Sequence, residues 1–345
     1  MMARPHRRQF LLGLAGGAVL PASPAEPPRV EMWHGGRQRF GHLGLPQRWI
    51  NVLGSVSPAA RIAQIEYSLN GGEFHHVSKG PDLHRLASPG DFNIEIDHAE
   101  LREGENEVVI RAADLDGARV EDRVVVEYTA DVAGELPYRA DFSQVTNLQD
   151  VCQVVDGRWR LTVDGVRTAE PYYDRVLAFG DSSWTNYAVT AEVIFHGFPG
   201  PKRGGPDFGV NHAGITLRWR GHADDGLQPR VKWYPLGAAS EFTLQKDLTQ
   251  CRWRILPGPP KRNVNAEETY PIELNKRYFI KGQVETMPDG RHRYRNKIWS
   301  PDRNELDFWV VESIEEPADD FASGGALLIA HRADVTFCSV RFERV

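Results

Sequence analysis

Strand-type patterning runs through almost the whole chain. Apolar and polar residues alternate in short segments rich in β-branched and aromatic residues, and Gly, Pro, Asn and Asp separate these segments. No long stretch shows a helical period with capping residues. The pattern therefore predicts an all-β protein.

Residues 30–130 have the spacing of a small sandwich. The turn sequence Asn70-Gly71-Gly72 predicts a tight hairpin. A hundred or so residues with short strands at this spacing are typical of an immunoglobulin-like β-sandwich. The predicted strands are 49–56, 62–69, 92–96, 107–112 and 123–128.

Residues 138–345 predict a second, larger domain, and residues 131–137, with Gly134 and Pro137, form the predicted linker. Long antiparallel strands over such a length fit a jelly-roll β-sandwich. The predicted strands are 158–163, 175–179, 187–195, 211–220, 230–235, 277–286, 291–299, 307–311, 325–331 and 335–343.

Several segments of the second domain carry a family resemblance: Asp156-Gly157-Arg158-Trp159, and residues 184–189, 213–218 and 325–342. They resemble the concanavalin A-like jelly-roll superfamily, in its laminin-G-like and 3-keto-disaccharide-hydrolase-like branches. The first domain resembles immunoglobulin-like modules of bacterial extracellular glycan-handling proteins, which implies a spacer. The resemblance implies a carbohydrate-related function, but the catalytic positions of the hydrolase branch do not match this chain one by one.

The first 25 residues have the three parts of a signal peptide. A twin arginine, Arg7-Arg8, precedes a weakly apolar run over 10–20 and a small-residue end, Ser23-Pro24-Ala25. The arginine pair predicts twin-arginine export, so the mature protein is expected in the periplasm or secreted. The apolar run is shorter than the ~20 residues of a spanning helix, and we expect no membrane span in the mature chain.

Charge and cysteine content exclude some classes of function. The formal net charge is −6, and loss of the leader with Arg4, Arg7 and Arg8 makes the mature chain more acidic, which argues against nucleic acid as a partner. The three cysteines form no disulfide framework and no zinc-ligand spacing. We expect free buried cysteines, with a bridge between Cys152 and Cys338 as the alternative.

Strand parity predicts a ligand-binding face in the second domain. Successive side chains of a strand point to opposite faces, so Trp219 and Trp233 should be buried while arginines and a tyrosine point outward together. A later pair of strands repeats the pattern. The predicted ligand-binding residues are His212, Arg218, Arg230, Lys232, Tyr234, Arg295 and Trp299.

A basic and aromatic face of this kind suits a polysaccharide or oligosaccharide ligand, including an acidic one, because arginine grips carboxylate or sulfate bidentately. A polysaccharide lyase or glycoside hydrolase using the same face is one alternative, and a structural cell-envelope protein is another. A solvated sheet face would carry the same residue types. No catalytic residue, metal site or cofactor is assigned. The laminin-G-like resemblance raises a structural calcium between Asp141 and Asp334 as an alternative.

One motif is interpreted as coincidence. Residues 95–100, from Glu95 to Glu100, match the Glu-x-Asp-x-x-Glu spacing of laminarinase-like jelly-roll glycosidases. They lie in the small sandwich and lead into a turn, so we interpret them as a solvent-facing segment. The Gly- and Pro-rich loops 197–209 and 256–263 are expected to border the predicted binding face.

Overall fold

The structure is a computed structural model that describes residues 26–198, 211–234, 236–258 and 261–345. The predicted leader (1–25) and most of the predicted 197–209 loop lie outside these ranges. Within them the chain forms strands and five short 3-10 helices, so the all-β prediction is confirmed. None of the described helices is long and apolar enough to cross a membrane.

The first sandwich consists of a three-stranded sheet, β1-β3-β6, and a five-stranded sheet, β2-β8-β7-β4-β5. Its strands are β1 (Arg29–Met32), β2 (Arg37–Phe40), β3 (Trp49–Ser57), β4 (Ile62–Leu69), β5 (His75–Val77), β6 (Asp91–Asp97), β7 (Gly104–Asp114) and β8 (Arg119–Tyr128). Alternate residues such as Val52, Ile94, Ile110 and Val126 meet in one apolar core between the sheets. Asn70 and Gly71 adopt positive φ in the predicted turn after β4.

The second sandwich consists of a seven-stranded sheet, β10-β13-β22-β15-β16-β17-β18, and an eight-stranded sheet, β11-β12-β23-β14-β19-β20-β21, with β9 beside β23. Its strands are β9 (Tyr138–Asp141), β10 (Gln153–Asp156), β11 (Trp159–Thr162), β12 (Gly165–Thr168), β13 (Arg175–Phe179), β14 (Tyr187–Gly197), β15 (Asn211–Trp219), β16 (Ala238–Leu244), β17 (Arg252–Leu256), β18 (Val264–Asn265), β19 (Arg277–Thr286), β20 (His292–Trp299), β21 (Val311–Glu315), β22 (Gly325–His331) and β23 (Asp334–Arg344).

The inner faces of these two sheets enclose the main core, which includes Val189, Ile215, Phe242, Ile280 and Leu328. We call the side of each sheet that points away from this core its outer face. The five 3-10 helices, Ala59–Arg61, His98–Glu100, Phe142–Gln144, Leu148–Asp150 and Pro317–Asp319, lie in connections between strands.

Most predicted strands are present, and two are wrong. Residues 230–235 form no strand in the described part of the chain, and β21 begins at Val311 rather than at 307. The Asp225 carboxylate accepts hydrogen bonds from the amides of Leu227, Val231 and Lys232, which closes a loop where alternation predicted a strand. All three cysteines are free and buried.

A buried ion triad joins the two sandwiches. Arg85, in the loop before β6, donates to Glu95 Oε1 (2.6 Å) and to Asp156 Oδ2 (2.8 Å). Its N–H groups also reach the carbonyls of Val155 (3.0 Å) and Arg230 (2.7 Å). All three charged side chains are buried, so their attraction is weakly screened. Glu95 is therefore a buried residue at the contact between the two sandwiches, and the prediction that it faces solvent is wrong.

The segment 221–234 lies between the sandwiches and is tied to the first. The amide of Arg230 donates to Glu95 Oε2 (2.8 Å), and its guanidinium lies 3.6 Å from the centre of the Trp49 ring. The side chain of Gln228 exchanges two hydrogen bonds with the backbone of Glu95. The first sandwich thus fixes a segment of the second, which does not fit a loose spacer.

Replacing Arg85 with Met should destabilise the protein strongly. The change removes the guanidinium that contacts both Glu95 and Asp156 in the buried interior, and we expect a loss of about 3–5 kcal/mol in the free energy of unfolding. Urea denaturation followed by tryptophan fluorescence measures it. Arg48→Met is the matched control, because the Arg48–Asp97 pair is more than half exposed on the arginine side and should contribute about 1 kcal/mol or less. Equal losses in the two variants would contradict this role.

His222 should make stability depend on pH. Burial, with Arg85 and Arg230 nearby, holds the pKa of His222 well below 6.5. The unfolded chain binds a proton at this histidine below about pH 6.5 while the folded chain does not, so the free energy of unfolding falls as pH falls, by up to ~1.4 kcal/mol per pH unit. Urea titrations at pH 7 and pH 5 should show a smaller fall for His222→Gln than for the wild type. The exposed His75→Gln should behave as the wild type.

Candidate functional site

The candidate site lies on the outer face of the seven-stranded sheet. Along β15, Ala213, Ile215 and Leu217 enter the core. His212 directly precedes Ala213, so its side chain points to the opposite side, the outer face. The antiparallel register sets His212 opposite His331 of β22. Backbone pairing alone thus brings together two histidines that are far apart in sequence.

The two imidazoles stack in parallel, with ring centroids 4.7 Å apart and planes inclined by 5°. His331 Nδ1 lies 2.8 Å from Oδ1 of Asp174, the residue immediately before β13. Because a carboxylate accepts hydrogen bonds, Nδ1 of His331 is the donor in this contact. Asp174 therefore fixes the orientation of His331.

Among the described residues, neither ring nitrogen of His212 has a hydrogen-bond partner, although its side chain is only 4% exposed. Burial, followed by the proximity of His331 and Arg254, holds its pKa well below 6.5, so the imidazole is neutral. Its Nε2 lies 3.5 Å from Glu241 Oε1. Since the ring is uncharged, this contact is not an ion pair. Buried polar atoms are nearly always satisfied in proteins, so His212 has the features of a group that awaits a ligand atom.

Glu241 extends the polar group across the sheet. It lies on β16, beside Gly214 of β15 and Arg254 of β17. Arg254 Nε donates to Glu241 Oε2 at 2.9 Å. Burial raises the pKa of Glu241 and Arg254 opposes this rise. The outer-face cluster, as we name it, consists of Asp174, His212, Glu241, Arg254 and His331.

Two half-buried tyrosines border the outer-face cluster. The Tyr173 ring meets the His331 ring edge-on, with centroids 4.7 Å apart. The Tyr234 phenol is close enough to Glu241 and Asp174 for their charges to act on it, and Gly258 packs against its ring. Burial raises the pKa of both phenols, so both are protonated hydrogen-bond donors at neutral pH. Their rings also offer flat apolar surface.

Asp174, His212 and His331 are also the residues that could hold a metal ion. Each offers a ligand atom, and these atoms lie within 4.8 Å of one another. No other group of three His, Cys, Asp or Glu residues in the described ranges meets this criterion. The calcium alternative gains no support. Asp334 is held bidentately by Arg167 (2.8 and 2.7 Å), and Asp141 accepts from the amide of Ser143.

The prediction that Arg218 faces outward beside Tyr234 is wrong. The register of β15 against β22 shifts between Leu217 and Trp219, and Arg218 has a φ of 53° in this bulge. The side chain is fully buried. Its guanidinium donates to the carbonyls of Thr185 (3.0 Å) and Phe321 (3.1 Å). Arg218 is therefore a structural residue.

The same bulge reverses the parity of the residue that follows it. Trp219 is buried, as predicted, but it does not join Leu217 in the main core. It lies in a separate apolar cluster on the outer face with Val176, Leu327 and Ile329, and Trp233 packs against this cluster. Period-2 alternation fails here because one extra residue is inserted on β15.

The contacts of Arg230 and Lys232 are with residues outside the outer-face cluster. Arg230 contacts Glu95 and Trp49 of the first sandwich, and it also pairs with Asp224 (3.1 Å). Lys232 is exposed, and its amide donates to Asp225. Of the predicted ligand-binding residues, the structure brings only His212 and Tyr234 to the same site.

Arg295 and Trp299 lie on the outer face of the eight-stranded sheet, on the other side of the sandwich. Register confirms that β19 and β20 present a shared polar face. However, Arg295 pairs with Glu285 (3.0 Å) and lies 4.7 Å from the Trp309 ring, while Trp299 stacks on Phe279. The lysines of this sheet face are paired too, because the Glu305 carboxylate forms ion pairs with both Lys281 and Lys297. This face carries paired charges rather than a free basic strip.

Sequence reasoning missed Asp174, Glu241, Arg254 and His331. His331 ends a predicted strand, but the run before it is apolar at every position and so does not show which face His331 occupies. The order of the strands, which pairs β22 with β15, is not contained in that run. β16 and β17, which carry Glu241 and Arg254, are absent from the predicted strands.

No known protein family and no curated protein matches the sequence. Among solved structures, the chain is similar to the Crh5 transglycosylase in complex with NAG (13% identity, TM-score 0.40, 62% of this chain and 86% of that chain). It is also similar to the VIP36 exoplasmic/lumenal domain in its Ca²⁺/Man2-bound form (10%, 0.37, 59% and 86%). A match to the endo-beta-1,4-mannanase from Thermotoga petrophila (10%, 0.23, 31%) spans only 21% of that chain. Similarities this low do not identify a function.

Arg218→Met should cost stability rather than act through ligand contacts. The change leaves the buried carbonyls of Thr185 and Phe321 without donors, and we expect a loss of about 3 kcal/mol in the free energy of unfolding. Arg220→Met is the matched control, since Arg220 is close by in sequence and exposed. Urea denaturation compares them. Equal stability of the two variants would contradict the structural role of Arg218.

Proposed function

We propose that this protein is an exported carbohydrate-active enzyme whose active centre is the outer-face cluster. The observation that carries the proposal is His212, a buried neutral imidazole whose two ring nitrogens find no partner in the described ranges, beside a carboxyl group whose pKa is raised. The large majority of buried side-chain polar atoms in proteins have a hydrogen-bond partner. Shifted protonation of neighbouring groups is typical of active sites.

The residue types favour a sugar as the ligand. Carboxylates, imidazoles and phenols can each hydrogen-bond to hydroxyl groups, and the half-buried rings of Tyr173 and Tyr234 can lie against the apolar face of a pyranose. The two carboxylates, Asp174 and Glu241, disfavour phosphate-rich ligands, in line with the net charge of −6. The jelly-roll resemblance in the sequence supports the same class of ligand.

Glu241 is the proton-transfer group in this proposal. Burial favours its protonated form, while Arg254 keeps an ionised form accessible, so the carboxyl can give a proton and recover it. His212 and the Asp174-held His331 contact the reacting oxygen atoms. Both hydrolysis and elimination use such proton transfer. The products distinguish a glycoside hydrolase from a polysaccharide lyase.

A binding protein without catalysis is the second candidate. The observation in its favour is the burial of the cluster centre: Asp174, His212 and Glu241 are each less than 10% exposed, and only the tyrosines and Arg254 offer much accessible surface. A ligand held by that border alone would not reach Glu241. An assay that scores binding and cleavage separately distinguishes the two.

Export and the domain division belong to the same proposal. The leader sequence supports twin-arginine export to the periplasm or beyond. The immunoglobulin-like assignment of residues 30–130 rests on strand number and spacing. In this proposal the domain acts as a fixed support, because the Arg85 triad and the 221–234 segment join it to the domain over 138–345.

The test uses the purified chain without residues 1–25 on a panel of neutral and acidic polysaccharides. New reducing ends report hydrolysis, unsaturated ends report elimination, and affinity electrophoresis reports binding. We expect His212→Asn and Glu241→Gln to lower the turnover rate by about 10²–10⁴-fold while the fold is retained. Arg295→Ala, on the opposite sheet, is the control and should keep wild-type activity.

Two results would count against this function. If no polysaccharide is cleaved but binding is lost in His212→Asn, the protein is a recognition module. If Arg295→Ala loses activity while Glu241→Gln keeps it, the active centre lies on the other sheet.

A further inference from the structure

We infer that Asp174, His212 and His331 form a binding site for a divalent transition-metal ion such as zinc. The inference concerns the same cluster as the proposed function, but it stands on the ligand set and does not require a sugar substrate.

The first support is how the fold delivers the three side chains. His212 and His331 are register partners on β15 and β22, and Asp174 precedes β13, the other neighbour of β22. Their ligand atoms already lie within 4.8 Å of one another. Bonds of about 2.1 Å to a tetrahedral ion set ligand atoms about 3.4 Å apart. Rotation of side chains can provide this change without moving the strands.

The second support is the unsatisfied state of His212. Both nitrogens are buried without a partner in the part of the chain that the structure describes, and the residue is only 4% exposed. A metal ion would take the lone pair of one nitrogen. Stacking on His331 provides contact for the ring faces but nothing for the nitrogens in the ring plane. The unused bonding capacity of His212 is therefore directed along the ring edge, where a ligand atom would bind.

The third support is the hydrogen bond between Asp174 and His331. His331 Nδ1 and Asp174 Oδ1 lie only 2.8 Å apart, so two of the ligand atoms are already side by side. Metal ligands must be deprotonated, and an ion between these two atoms would take the place of the proton that they share. The ligand set would then be Asp174 Oδ1, His331 Nδ1 and one ring nitrogen of His212.

The ligand chemistry selects the class of ion. Two imidazoles with one carboxylate suit zinc, iron, cobalt or nickel, whereas calcium and magnesium prefer oxygen ligands throughout. Three protein ligands leave a coordination position for water or a substrate oxygen, as in catalytic rather than structural zinc sites. Glu241 Oε1 lies 3.5 Å from His212 Nε2, so this carboxyl group would be close enough to exchange a proton with an oxygen bound to the ion.

The test is cobalt binding by the purified chain lacking residues 1–25, after removal of metals with EDTA. We expect about one Co²⁺ per chain by elemental analysis, a visible d–d absorption band, and displacement of that band by Zn²⁺. His212→Ala, His331→Ala and Asp174→Asn should each weaken binding by at least about 10–100-fold. His222→Gln is the matched control, because His222 is equally buried and has an unpartnered nitrogen outside the cluster.

A measurement on the wild type keeps the test informative if the ligand variants misfold, which circular dichroism would reveal. X-ray absorption of the zinc-loaded wild type should show two imidazoles and at least one oxygen in the coordination sphere. Fewer than two imidazoles, no cobalt binding, or equal weakening in His222→Gln would overturn the inference.

The polysaccharide assay separates this inference from the proposed function. Wild-type protein that binds cobalt in this way and cleaves no polysaccharide supports the metal site and counts against the enzyme. Protein that binds neither Co²⁺ nor Zn²⁺ and is fully active on a polysaccharide overturns the metal site and leaves the enzyme in place.

Discussion

The antiparallel pairing of β15 with β22 holds the two histidines of the site together. It aligns His212 with His331 on the outer face while Ala213, Ile215 and Leu217 fill the core. A slip of one residue would exchange the two faces of β15, placing imidazoles in an apolar core. The free energy of burying that core therefore also fixes the geometry of the histidine pair.

A bulge divides the outer face into two parts with different roles. At Arg218 the chain takes a positive φ, and the guanidinium reaches the carbonyls of Thr185 and Phe321. Beyond the bulge Trp219 turns to the outer side and packs under the 221–234 segment. One part of the outer face is thus apolar and covered by the 221–234 segment. The other part is polar and carries the outer-face cluster.

The first sandwich matters to the site through the segment it holds. The Arg85 triad joins β6 to β10, and Glu95 also holds the amide of Arg230. The segment ends near Tyr234, whose phenol borders Glu241. A module that sequence resemblance suggests is a spacer therefore takes part in positioning a residue of the second sandwich. The two outer faces also differ in their polar contacts. Charges on the eight-stranded sheet pair locally, whereas His212 on the seven-stranded sheet has no partner among the residues that the structure describes.

Local patterning in the chain was enough to establish the all-β class, most strand positions and the parity of strands such as β15 and β20, because these follow from alternation and turn chemistry. It also pointed to His212 and Tyr234. Folding in three dimensions was needed to show which strands are neighbours, and so to place Asp174, Glu241 and His331 around His212. The fold also moved Arg218 into the interior and sent Arg295 to the opposite sheet. Strand order and bulges depend on contacts between distant residues, and alternation along one strand contains no record of its neighbours.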